Sequence, residues 1–322
     1  MNPLAFIFPG QGAHYLGMAK TFYDSHAIAR QTFEEADQTL GVSLTKICFE
    51  GPVESLNKTE MTQPAILTAS VAMLRVFRSY GFDSTMTAGL SLGEYTALVH
   101  SESLLFKDAV ELVRNRGRFM QKAVPENQGG MAAILGLDPK QVDPCLESCR
   151  EFGYIAVANY NCPGQIVLSG ELTAVRQSLD ICRKKGAKKA VLMPVSAPFH
   201  TSMLDPAGQQ LNDCMKDVTF RKPNQAFYSN VTGKAVAEAE SIKPLLVSQV
   251  SHPVKWENCL LSMMDDGCTT FVEIGPSNSL TGFVKRTSRH HGRLASGVHI
   301  ETVEQMELAA EILTKEGYHG TK

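Results

Sequence analysis

An α/β fold is predicted for this chain: a large α/β-hydrolase-like unit with a parallel sheet, plus an inserted ferredoxin-like small subdomain. Three features predict it. Short apolar runs alternate with amphipathic stretches toward both ends of the 322 residues, the pattern of strands joined by helices. The outermost runs stop at Gly and Pro, where a buried strand ends and the chain turns. The middle changes rhythm to the order β-α-β-β-α-β.

Taken in order, the first apolar run is Leu4–Phe8, ended by Pro9-Gly10. Helical spacing follows over about 16–40. A second helix is predicted over 64–80, with Ile66, Ala69, Ala72, Met73, Val76 and Phe77 on one face. A short stretch at 85–88 leads through Gly89 into a helix reaching Val99, and 108–123 is amphipathic. In the middle, strands are predicted over 131–135, 154–160, 165–169 and 189–193, and helices over 139–151 and 172–185. Asn161-Cys162-Pro163-Gly164 supplies a hairpin turn between the second and third of these strands. Gly129-Gly130 and Pro194 are read as hinges, which divides the chain into 1–128, 129–194 and 195–322. Beyond them come a helix over 202–216, strands over 226–229 and 271–274, and a helix reaching Arg286. The last 35 residues read as polar loop, with Gly320-Thr321-Lys322 a frayed end.

Composition narrows the function classes. With 43% apolar and 20% charged residues the chain is a soluble globular protein. Its 31 basic and 33 acidic side chains give a net charge of -2, without the basic excess of a nucleic-acid binder. No apolar run is long enough to span a membrane, and the N-terminus lacks the basic start of a signal peptide. The eight cysteines form no CxxC pair and show no metal-ligand spacing, so reduced thiols in the cytoplasm and no metal site are expected. With no extra interface element visible, a monomer is expected.

Four signals carry chemistry. Gly89-Leu90-Ser91-Leu92-Gly93 fits G-x-S-x-G between a predicted strand and a predicted helix, the setting of a nucleophile elbow. The glycines leave room for the turn, and the N–H of Leu92 at the helix start can face an oxyanion. Against this stands a chance match of a short pattern. Pro9-Gly10-Gln11-Gly12 follows the first strand but does not complete a dinucleotide fingerprint, since Tyr15 stands where the third Gly belongs. Gln11 there is either a second oxyanion donor or part of an ordinary tight turn. A serine nucleophile needs a base, and His200, in a loop before a helix, is one of nine histidines that could serve; His14 could line the same pocket. Arg116 sits among arginines that usually form a solvated helix end, yet a guanidinium can also clamp a carboxylate in bidentate fashion.

Together these pieces resemble the malonyl-CoA:acyl carrier protein transacylase family. The resemblance runs from about Phe6 to Arg286 and rests on FPGQG (8–12), GLSLGEY (89–95), RNRGRFMQ (114–121), PFH (198–200), QVSHPVKW (249–256) and EIGPSNSL (273–280), in that order. It implies that Ser91 is the acylated nucleophile, His200 its base, and Gln249 the residue that orients the histidine through its backbone carbonyl. It implies an oxyanion hole from the N–H groups of Gln11 and Leu92, a malonyl carboxylate paired with Arg116, and Met120 and Phe199 lining the acyl pocket. No cofactor is implied: malonyl-CoA is the substrate, and the phosphopantetheine belongs to the partner, an acyl carrier protein. Leu90, Ala13-His14 and Phe199 depart from the fatty-acid transacylases, which usually have His, Ser-Gln and Ser there. Leu90 and Phe199 look more like discrete acyltransferases that serve polyketide synthases in trans, and Phe199 is similar to the malonyl-selective pattern. Two rivals remain at this level: an acyl hydrolase of the same fold, which tends to lack the arginine, and a non-catalytic docking subunit. Basic clusters at Arg183, Lys184, Lys185, Lys188 and Lys189, and at Lys285 and Arg286, could meet an acidic carrier.

Overall fold

A computed structural model describes residues 3–195 and 197–318. Ten strands form two sheets: β1 (Leu4–Phe8), β2 (Met86–Gly89), β3 (Gly129–Leu135), β4 (Ile155–Cys162), β5 (Gln165–Glu171), β6 (Lys189–Leu192), β7 (Ala226–Tyr228), β8 (Ala235–Val236), β9 (Thr270–Ile274) and β10 (Ser296–Ile300). The large sheet runs β10-β9-β1-β2-β7-β8. It is parallel except for the closing β7–β8 hairpin. Every residue of β1, β2 and β9 is buried, because helices cover both faces; in β1 this gives an unbroken apolar run.

The small sheet runs β4-β5-β3-β6 and is antiparallel throughout. Helices Pro139–Cys149 and Leu172–Lys184 complete the β-α-β-β-α-β order. Gly129 and Gly130 are the first two residues of β3. They pair with Glu171 and Gly170 inside the sheet, and a Cβ on Gly129 would meet Pro198 Cδ at 2.4 Å. Gly129 lets the loop that carries His200 pass against β3, and Gly130 lets Leu172 do so.

Three readings need correction. The 16–40 stretch is two helices, Lys20–Ser25 and Ala27–Leu40, broken at an extended His26. Arg30 turns back to bond the carbonyls of Tyr23 and Asp24, which satisfies the end of the first helix and stabilises the break. The helix predicted over 64–80 begins at Thr59, after short helices Leu44–Glu50 and Val53–Leu56, because the Lys58 carbonyl accepts the N–H groups of Met61 and Thr62 and adds a turn. From Met61 to Leu74 it is buried on every side, so it has no single apolar face; it packs against helices Ala27–Leu40 and Phe106–Lys122. The last 35 residues are not loop. They supply edge strand β10 and helix Val303–Lys315, whose capping box joins Thr302 and Gln305 and whose Met306, Ala309 and Leu313 are buried. Gly320-Thr321-Lys322 lies outside the described residues. Among the described residues no helix is long and apolar enough to cross a membrane.

Candidate active site

β1 and β2 lie side by side, so the loops leaving them meet at the C-terminal edge of the sheet. At that edge Ser91 has φ 52, a left-handed value that a non-glycine residue holds only when its surroundings enforce it. The enforcement is visible. A Cβ on Gly89 would meet Gly93 at 1.9 Å, and one on Gly93 would meet Phe8 O at 2.2 Å. Asn230 straps the turn: its Oδ1 accepts the Ser91 N–H at 2.6 Å and its Nδ2 donates to Gly89 O at 2.8 Å. The hydroxyl is thereby held clear of the sheet, ahead of helix Gly93–His100.

His200, also left-handed at φ 61, places Nε2 2.8 Å from Ser91 Oγ. Its Nδ1 lies 2.8 Å from the backbone carbonyl of Gln249, in helix Ala239–Ser251. A carbonyl only accepts, so the Nδ1 carries the proton and the Nε2 lone pair is left for the serine. Burial, followed by the Arg116 charge, pushes this imidazole down to about 3, so it is a neutral base at ordinary pH.

Arg116 comes from helix Phe106–Lys122 and is 1% exposed, so it does not belong to a solvated helix end. It donates to Gln63 Oε1 at 2.8 Å, to Gln249 Oε1 at 2.9 Å and to Ser91 Oγ at 3.1 Å. Its Nε has no partner among the described residues, and the Tyr95 ring lies 5.7 Å from the guanidinium carbon. Burial lowers its pKa, while Tyr95 and Glu94 oppose the shift.

Gln11, Ser91, Arg116, Met120, Phe199 and His200 line one cleft of about 240 Å³. Leu92 and Gln249 stand behind it, fully buried. The N–H groups of Gln11 and Leu92 have no acceptor among the described residues. His14 is not part of the lining; its Nε2 bonds Asn57 Oδ1 at 3.0 Å. Three polar side chains that the motifs had not singled out complete the arrangement: Gln63, Asn230 and Glu94. Glu94 is wholly buried, accepts from the Gln249 side chain, and has its pKa raised to about 7 by burial. The only sequence signal for it was its place in GLSLGEY. No group of three or more metal-ligating side chains occurs among the described residues.

Such an arrangement can form an ester on a serine and hold an anionic group beside it. Comparison with known proteins gives the family. Residues 5–314 match the acyl transferase domain family. The chain is 40% identical over 317 residues to the malonyl CoA-acyl carrier protein transacylase of Bacillus subtilis strain 168, covering 98% of this chain and 99% of that one. To the protein of the same name from Escherichia coli K12 it is 42% identical over 287 residues, covering 89% and 93%. The crystal structure of the Clostridium perfringens transacylase superposes with a TM-score of 0.93 at 42% identity over 98% of both chains. A malonyl-transacylase solved in complex with a type II PKS acyl-carrier protein superposes with a TM-score of 0.92 at 37% identity, over 96% and 99%. On matches of this length and closeness, the chain belongs to the acyl transferase domain family, among the malonyl CoA-acyl carrier protein transacylases.

Proposed function

We propose that this chain moves a malonyl group from malonyl-CoA to the phosphopantetheine thiol of an acyl carrier protein, by way of a malonyl ester on Ser91. The carrying observation is one hydroxyl held 2.8 Å from a neutral imidazole nitrogen and 3.1 Å from a buried guanidinium. Ser91 Oγ attacks the thioester carbonyl as its proton passes to His200 Nε2, while the Nδ1–H stays on the Gln249 carbonyl. The tetrahedral oxyanion rests on the N–H groups of Gln11 and Leu92. When it collapses, the carbon–sulfur bond breaks and the coenzyme A sulfur takes the proton from His200. The carrier thiol then gives its proton to His200 and attacks the ester; the carbon–oxygen bond breaks and Ser91 recovers the proton. Arg116 receives the acyl carboxylate through its unpartnered Nε and the N–H released when Ser91 is acylated. Met120 and Phe199 form the apolar wall beside it. This chemistry asks no cofactor of the chain itself.

Leu280 and Phe283 line the cleft, and exposed Lys285 and Arg286 follow on the same helix, Ser279–His290. That pair suits an acidic carrier better than the cluster at 183–189, because its helix lines the cleft and no residue of that cluster does. Leu90 and Phe199 support a carrier of polyketide synthesis, with fatty acid synthesis the related use. Eight unpaired thiols support a reducing, cytoplasmic setting. The test is to load the enzyme from malonyl-CoA, strip free coenzyme A esters, add a phosphopantetheinylated carrier and weigh both proteins. Malonyl arriving on the carrier supports transfer. Free malonate with an unmodified carrier supports a hydrolase instead.

A further inference from the structure

Glu94 touches nothing in the cleft; it is a buried carboxylate on which two groups behind the cleft, Gln249 and Asn230, converge. Its Oε2 accepts the side-chain N–H of Gln249, and its Oε1 faces the N–H of Asn230 at 3.4 Å. This leaves the Gln249 amide no freedom. Nε2 serves Glu94 and the Ser91 carbonyl, the latter at 3.0 Å, and Oε1 is turned to the Arg116 guanidinium at 2.9 Å. The two ends of a glutamine amide have nearly the same shape and differ in being donor or acceptor. In its ionised form the carboxylate only accepts, so it selects the NH2 end and forces the carbonyl end toward the arginine. Reversed, the amide would set N–H against guanidinium N–H, with both groups buried.

We propose that Glu94 is a positioning residue that selects for carboxylated acyl groups, by locking the Gln249 side chain and through it Arg116. The proposal rests on the malonyl-transfer reading of the cleft. Glu94 acts on the arginine and not on the base, because His200 is held by the main-chain carbonyl of Gln249, which survives any change of side chain. The main chain of Gln249 thus serves the base, while its side chain serves Arg116 and the Ser91 carbonyl.

The variant is Glu94→Gln. The carboxylate lies between the Gln249 NH2 and the Asn230 N–H, neither of which can accept, so whichever way the new amide turns its NH2 faces a donor. Serine acylation is followed by intact mass with malonyl-CoA and with acetyl-CoA, and the hydroxyl is probed separately with an uncharged phosphonofluoridate. The malonyl-to-acetyl preference is expected to fall about tenfold or more, the cost of a mispaired buried polar group, while phosphonylation stays within about threefold of wild type. Gln249→Ala lowers the preference similarly, and adding Glu94→Gln to it changes little more. Unchanged preference in Glu94→Gln overturns the proposal. So does a parallel loss of malonyl, acetyl and phosphonyl reactions, which marks a merely structural role. If Glu94→Gln does not fold, Gln249→Ala decides, and wild-type preference there overturns the proposal. Failure of the wild-type protein to form any malonyl ester overturns the transfer reading itself, a separate outcome.

Discussion

Two serine–histidine pairs sit at opposite ends of β2. Ser84 precedes the strand and meets His100; Ser91 follows it and meets His200. In both, the hydroxyl oxygen lies 2.8 Å from Nε2, and in both, burial pushes the imidazole down to about 3. The proton placement differs. Ser84 donates its one proton to the Met86 carbonyl at 2.9 Å, so His100 must donate from Nε2, and its Nδ1 is left without a partner among the described residues. His200 instead donates from Nδ1 to Gln249 and offers a bare Nε2 to Ser91. His100 stacks on Phe6 and touches Phe8, sealed in the core, whereas Ser91 opens to a cleft beside Arg116. Proximity of serine and histidine is thus not enough for a nucleophile; the group behind the imidazole decides which way the proton can move.

The largest effects separate the pairs outright. Ser91→Ala removes malonyl loading, and His200→Ala slows it by about 10²–10⁴-fold, the usual worth of a general base. Ser84→Ala leaves the loading rate at the wild-type level, measured by intact mass over time. Loss of loading in Ser84→Ala would break the contrast. Arg116→Ala sharpens it, because it leaves both pairs in place and removes only the carboxylate's partner. Malonyl loading is expected to drop by about 2–5 kcal/mol in kcat/KM while acetyl loading does not fall in step.

A smaller effect concerns pH. A histidine held neutral well below its ordinary value gives no acidic limb near 6.5, so phosphonylation of Ser91 is expected to be level from about pH 5 to 8. A limb at the ordinary histidine value contradicts the assignment. The same depression makes both histidines liabilities in acid. The unfolded chain takes up their protons first, so stability is full above about 6.5 and declines as pH falls toward the folded value. His100→Phe is expected to weaken the acid dependence of the melting temperature without altering the loading rate. The smallest effect is that of Ser84→Ala on stability, about 1–3 kcal/mol from leaving the His100 Nε2–H unpaired, read by thermal melting.

How legible each part was follows from how local its causes are. The elbow was readable because glycines at 89 and 93 answer to backbone atoms only a few residues away or on the neighbouring strand. The antiparallel insert was readable because Pro163-Gly164 and the helix between 172 and 184 mark it locally. Helix Val303–Lys315 was missed although Thr302 and Gln305 announce its start, because its apolar stripe is thin and β10 is a half-exposed edge strand. Gln63 and Asn230 gave no local signal, and Glu94 gave only its place in GLSLGEY. Their partners are 53, 139 and 155 residues away in sequence, and only the packed sheet brings them together. Likewise Arg116 reads as one of several solvated arginines until helices Thr59–Ser79 and Ala239–Ser251 close over it.

The most direct measurement is peptide mapping of the protein after brief exposure to malonyl-CoA, in wild type, His100→Phe and His200→Ala. A single malonyl ester on the peptide bearing Ser91, kept in His100→Phe and lost in His200→Ala, is the predicted result. An ester on any other serine, or one that forms equally well without His200, contradicts the account.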